Sequence, residues 1–135
     1  SSMGLLSKLF KNLKKDATKT SVATYYGLKD VDVLCNWMFC FSILRNTCAH
    51  HGRVWNRRLP EITIPRKTLY PYVENKTFYT NKTYAILCNI MYILNNISPN
   101  HNFKANLVAL MSNCPLAQEK EMGFPKNWKQ EQFWK

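Results

Sequence analysis

The sequence predicts an all-α fold, a helical bundle of about five helices, on three observations. Apolar residues recur at helical spacing in five separate stretches, residues that cap or stop helices bound those stretches, and the prolines fall between them. At 135 residues and 46% hydrophobic, the chain has the size of one ordinary domain with one core, so a single helical domain over 1–135 is expected. Repeats, low-complexity tracts and interdomain linkers are absent from the sequence.

The first element covers residues 3–15, where Leu5, Leu6, Leu9, Phe10 and Leu13 share one helical face and four lysines stand opposite. Asp16 can cap a second helix that carries Val22, Tyr25 and Tyr26 and stops at Gly27. Asp30 is a good N-cap for a third, long helix of about 30–52, with Leu34, Trp37, Met38, Phe41 and Leu44 inward; it should persist to about His51, where Gly52 permits termination. Residues of about 56–80 contain Pro60, Pro65 and Pro71 and no helical period, so a long ordered loop follows, with room for short extended pieces around Ile62 and Ile64. A fourth helix spans about Lys82 to Asn96, closed by Pro99, and a fifth runs from Asn102 to about Asn113. Phe124, Trp128, Phe133 and Trp134 make the tail too aromatic to hang free, so it should pack down.

Nineteen Lys and Arg against eight Asp and Glu leave a formal charge of +11, which draws polyanions such as RNA, DNA or anionic lipid. Five cysteines without a CxxC pair suggest neither a disulfide framework nor a zinc knuckle; reduced and mostly buried thiols are expected. With no apolar run near membrane-span length and no signal-peptide pattern, no membrane partner and a cytoplasmic location are expected, and the Asn-x-Ser/Thr matches at Asn75, Asn81 and Asn96 are then chance. The chain opens on Ser1, and its first helical pattern begins almost at once, so a piece of a longer protein is expected.

The chemistry concentrates in residues 44–58, Leu-Arg-Asn-Thr-Cys-Ala-His-His-Gly-Arg-Val-Trp-Asn-Arg-Arg, four arginines and two histidines at the end of an apolar helix. Metal-independent RNA cleavage needs a group that moves protons between the 2′-OH, the leaving 5′-oxygen and solvent, and imidazole titrates in the right range. It also needs a cation at the phosphate, where a guanidinium offers forked donors. Arg45 and His50 supply one of each. Five residues apart, they stand about 140° around the helix and about 7.5 Å along it. Asn46, four residues before His50, is placed to orient the imidazole, while Arg45 reaches toward a shared phosphate or a second copy of the motif. On spacing alone, Arg45 can equally cap helix-end carbonyls, and His50 can be a histidine favoured at that end by the macrodipole.

Arg45-Asn46-Thr47-Cys48-Ala49-His50 resembles the R-x4-H signature of HEPN ribonucleases, and the run from Leu44 to Arg57 resembles the hallmark of the Abi-like, abortive infection family. Gly4-Leu5-Leu6-Ser7-Lys8-Leu9-Phe10 and Met122-Gly-Phe-Pro-Lys-Asn-Trp128 resemble further family segments in the same order, so the resemblance spans nearly the whole chain. It implies a HEPN-like bundle forming the C-terminal part of a phage-defence toxin, with Arg45, Asn46 and His50 catalytic. It also implies cleavage by 2′-OH attack without cofactor or metal, and a homodimer that brings two motif helices together. The family's N-terminal region, which carries a Tyr-rich segment, is not part of this sequence and is a possible source of regulation.

His51, Arg53 and Arg57 are expected as substrate-binding residues. If the helix ran past Gly52, Asn46, His50, Arg53 and Arg57 would form one stripe able to clamp RNA; alternatively the arginines form a solvated basic face and His51 is structural. Trp55 can stack a base or anchor the loop. Cys48 faces away from His50 and is expected to be small packing, and His101 to lie on the surface with no partner near in sequence. Two other functions remain open: a binding module that holds RNA or a partner protein without turnover, and a membrane-active toxin working through the first helix.

Overall fold

The computed structural model describes residues 2–13, 16–50, 52–55 and 57–135, with the side chains of Ser2, Met3, Asp16 and Ala117 outside that description. Six α-helices lie in these residues, α1 (Ser2–Lys11), α2 (Asp16–Tyr25), α3 (Val31–Ala49), α4 (Thr83–Ile97), α5 (Phe103–Ser112) and α6 (Leu116–Glu121), followed by two 3₁₀ turns at Trp128–Gln130 and Gln132–Trp134. No strand occurs among the described residues; the extended pieces allowed around Ile62 and Ile64 do not pair, and Leu28–Thr68 forms an isolated bridge. The fold is all-α, with α6 and the two 3₁₀ turns added to the five helices expected.

The Asp30 carboxylate opens α3 by accepting the Asp32 N–H at 2.8 Å. Trp37, wholly buried, and Leu34 and Cys40, almost so, point into the core. The loop after the motif is strapped along this helix. Asn36 accepts the Thr63 N–H at 2.6 Å and donates to the Glu61 carbonyl at 3.0 Å, while the Trp37 indole donates to the Thr63 carbonyl at 2.7 Å. These bonds answer the polar groups of a segment that has no ladder of its own. Helix α2 ends at Gly27, where φ is +83° and a Cβ would stand 2.7 Å from the Tyr92 hydroxyl; the Leu28 N–H closes the turn on the Ala23 carbonyl at 2.8 Å.

Helix α4 is the central element, with Tyr84, Ala85, Ile86, Cys88, Asn89, Met91 and Tyr92 all buried. The tail packs down on it as expected. Phe124, Trp128 and Trp134 surround the Tyr84 ring, and the Trp134 indole donates to the Tyr84 hydroxyl at 3.1 Å. Glu131 holds the tail to the loop by accepting the Glu74 and Asn75 N–H groups at 3.0 and 2.7 Å.

Three expectations are corrected. His101 is half-buried and bonded, its Nε2 lying 2.7 Å from Asn95 Oδ1 and its Nδ1 accepting the Phe103 N–H at the start of α5 at 3.1 Å. Only Cys40 and Cys88 of the five thiols are buried, and Cys48 is exposed rather than packed. Helix α1 ends at Lys11 and buries only Phe10 of its apolar face, leaving Leu5, Leu6 and Leu9 more than half exposed. The remaining lysines of the expected first helix, Lys14 and Lys15, lie outside the described residues.

Candidate active site

The motif occupies the last turns of α3. Ile43 and Thr47 are tied by the Thr47 hydroxyl, which donates to the Ile43 carbonyl at 2.9 Å. The helix stops at Ala49, two residues short of the expected end: His50 is the C-cap, its N–H on the Asn46 carbonyl at 3.1 Å, and the Gly52 N–H closes the turn on the Thr47 carbonyl at 2.7 Å. Glycine is needed there by close approach, since a Cβ at 52 would meet Thr47 Cγ2 at 2.8 Å and its carbonyl oxygen at 2.9 Å.

Arg45 and His50 are both exposed, and Asn46 is half-buried. No side-chain hydrogen bond or ion pair joins any of the three to another described residue. The alternative in which Arg45 caps the helix-end carbonyls is therefore not what the chain adopts. Nor does the Asn46 amide hold the imidazole. The six α3 residues that line an open apolar groove of about 690 Å³ against α1, α2 and α4 are Leu34, Met38, Phe41, Leu44, Arg45 and Cys48. Arg45 thus ends an apolar face, while Asn46 and His50 lie outside its lining.

Because α3 stops at Ala49, the stripe Asn46, His50, Arg53, Arg57 does not form as one helical face. Arg53 and Arg57 lie on the loop that follows, both exposed, and His51 lies outside the described residues, as does Asn56. The Arg53 guanidinium carbon stands 5.6 Å from the centroid of the half-buried Trp55 ring. Arg57 Nη1 lies 3.6 Å from where a Gly52 Cβ would be, beside the end of the motif helix. Arg57 also lines an open cleft of about 460 Å³ with Arg58, Tyr79, Asn81, Lys82 and Glu121. Of these residues, Tyr79, Asn81 and Lys82 had no place in the sequence reading of function. The signal that could have found them is long-range, because Lys82 lies 24 positions after Arg58.

Burial pushes the Cys40 thiol up to about 11, with the Glu61 charge adding to the effect, and burial raises Cys88 well above the ordinary thiol range. Neither thiol is a nucleophile near neutral pH. Among the described residues, no three His, Cys, Asp or Glu side chains are grouped so as to hold a metal ion, and no helix is long and apolar enough to cross a membrane.

Residues 1–56 match the model of the family described as Abi-like protein, so this part of the chain is similar to that family. The matched residues contain α1, α2, α3 and the whole of Arg45–His50, whereas the Met122–Trp128 resemblance lies beyond them. No curated protein and no solved structure matches the chain.

Proposed function

We propose that this Abi-like chain is a metal-independent endoribonuclease of the HEPN type, acting in abortive infection, with Arg45 and His50 at its catalytic centre and Asn46 beside them. The observation that carries the reading is the state of the two side chains. The side chains of an arginine and a histidine about 1.4 turns apart, at the end of the family-matched helix, are exposed and make no hydrogen bond to a described residue. Groups serving the fold would be bonded or packed; groups serving a ligand are held open to it.

In the proposed reaction the His50 imidazole takes the proton of a ribose 2′-OH as the 2′-oxygen attacks phosphorus. The bond to the 5′-oxygen breaks, and that oxygen leaves with a proton from a second acid. The products are a 2′,3′-cyclic phosphate and a 5′-OH. Arg45 sets two donors on the nonbridging oxygens and stabilises the charge gathered there in the transition state. Base and acid must be in opposite protonation states, and a second copy, meeting through the motif helix, would supply the other imidazole. The open groove ending at Arg45 supports such a homodimer. Arg53, Arg57 and His51 are proposed to bind the RNA.

The test is incubation of the chain and its His50→Ala variant with total bacterial RNA in EDTA, followed by analysis of fragment ends. The expected result is 2′,3′-cyclic phosphate ends, reduced by on the order of 10² to 10⁴ in the variant, while folding and RNA affinity are kept. Arg45→Lys should also be damaging, since an ammonium has no fork. Unchanged cleavage in His50→Ala would overturn the assignment, and no cleavage by any longer form would favour a binding module. A membrane-surface reading draws on the exposed Leu5, Leu6 and Leu9 of α1, and it predicts that Leu9→Asp abolishes toxicity while Arg45→Ala does not.

A further inference from the structure

The loop that leaves the motif helix does not stay beside it. Val54, Leu59 and Ile62 are pinned against the start of α4 and the segment before it. The Leu59 N–H donates to the Asn81 carbonyl at 2.8 Å, the Ile62 N–H to the Thr80 carbonyl at 3.0 Å, and the buried Thr83 hydroxyl to the Val54 carbonyl at 3.3 Å. These bonds set the Arg57-Arg58 pair opposite Tyr79 and Lys82 and so form the cleft of about 460 Å³.

The cleft is charged beyond what its fold explains. Arg57, Arg58 and Lys82 line it with one acid, Glu121, and none of the three cations forms an ion pair with a described residue. Three cations facing one carboxylate leave an excess of like charge, and the arrangement is relieved by an anion from solution. Lys82 Nζ lies 4.8 Å from the centroid of the Tyr79 ring, and Tyr79 itself is 68% exposed, so an aromatic face is presented among cations. Cations spaced along a cleft with an open aromatic ring are the combination that holds single-stranded nucleic acid: phosphates on the cations and a base on the ring. Arg57 connects this cleft to the motif, because its guanidinium stands beside Gly52, two residues after His50.

We propose that this cleft is a strand-binding subsite, in which Arg58 and Lys82 each take a phosphate of single-stranded RNA and Tyr79 stacks a base, on the strand that Arg57 leads toward His50. The proposal rests on the reading of RNA as the ligand of the motif, and it extends the footprint to residues 58, 79 and 82.

The experiment measures binding and not cleavage, so its outcome is separate from that of the nuclease reading. A labelled single-stranded RNA, fully 2′-O-methylated and therefore resistant to 2′-OH attack, is titrated with the whole chain at several salt concentrations. Arg58→Gln with Lys82→Gln keeps both stems; it should weaken binding about 10-fold at moderate salt and reduce the salt slope by about 1.4, the worth of two phosphates on a single strand. Tyr79→Ala should cost roughly 5-fold or more with the slope unchanged. The charge-preserving pair Arg58→Lys with Lys82→Arg should keep the slope, which also guards against a folding artefact. Lys8→Gln with Lys11→Gln removes the same charge from α1, and it should change affinity far less. Equal losses from the two Gln pairs would show diffuse attraction to a +11 surface and overturn the subsite, as would unchanged affinity in the cleft variants.

Discussion

Replacing Gly52 by alanine adds one methyl group at the point where the motif helix closes, and the structure determines both the sign and the size of the effect. In an unconstrained turn this change stabilises by about 0.4–1 kcal/mol through the unfolded chain. Here the new Cβ would stand 2.9 Å from the Thr47 carbonyl oxygen and 2.8 Å from Thr47 Cγ2. The side chain cannot simply rotate away, because its hydroxyl is committed to the Ile43 carbonyl at 2.9 Å. The carbonyl cannot move without lengthening the 2.7 Å bond it accepts from the Gly52 N–H. Losing that bond costs roughly 0.5–1.5 kcal/mol and relieving the overlap roughly 1–3 kcal/mol, so the entropic gain is outweighed and a net loss of about 1–3 kcal/mol is expected. Denaturant unfolding measures it directly, and Tm should fall by about 3 °C for each kcal/mol lost. Thr47→Ser in the same background removes the methyl contact but leaves the carbonyl contact, so it should recover less than half of the loss. Equal or greater stability in Gly52→Ala would refute the claim that close approach fixes glycine at this position. His50→Ala, which removes an exposed and unbonded ring, should by contrast stay within about 0.5 kcal/mol of the parent while losing cleavage.

Thiol labelling near pH 8 should modify Cys48 rapidly and leave Cys40 and Cys88 untouched until the chain unfolds, since the first is exposed and burial holds the other two protonated; rapid loss of all five thiols in the native state would contradict the packing of α3 and α4. His101→Ala should cost about 0.5–2 kcal/mol by removing the acceptor for the Phe103 N–H, with no change in RNA cleavage, and an altered cleavage rate would place His101 in the site. Asn36→Ala breaks both prongs of the strap on 61–63 and should cost about 1–2 kcal/mol in unfolding experiments, whereas a neutral result would mean that the Trp37 bond alone holds the loop.

Helices α3, α4 and α5 were legible in the sequence to within a few residues because Trp37 and Phe41 in α3 and Ile86, Ile90 and Leu94 in α4 repeat at helical spacing, with Asp30 marking the start of α3 and Pro99 the break between α4 and α5. The short α6 was not, since Leu116–Glu121 has too few residues to display a period. The stripe from Asn46 to Arg57 failed for a local reason. Periodicity cannot see that the Gly52 N–H turns back onto Thr47, and one such bond removes Arg53 and Arg57 from the helix. Cys48 was misjudged because spacing gives a direction and not what lies in it; it faces the same side as Leu44 and Arg45, where the groove is open. His101 was misjudged because its partner Asn95 lies across the turn between α4 and α5.

Helix α3 changes character along its length, and that change bears on how the candidate site works. Its first half is buried and strapped: Leu34, Trp37 and Cys40 face the core while Asn36 and Trp37 bind the loop. Beyond Ser42 no α3 residue is buried, and the turn is held by the Thr47 hydroxyl and the Gly52 N–H. A rigid half fixes where the backbone of Arg45 and His50 lies, but no hydrogen bond or ion pair to a described residue fixes their side chains. Ordering an arginine costs up to about 2 kcal/mol of rotamer freedom, which substrate or a second copy must offset. The proposed enzyme should therefore show weak substrate affinity as a monomer and gain rate more than linearly with protein concentration wherever the second copy completes the site. Activity strictly proportional to concentration across the range in which sedimentation detects dimers would exclude the shared centre and leave catalysis to one protomer.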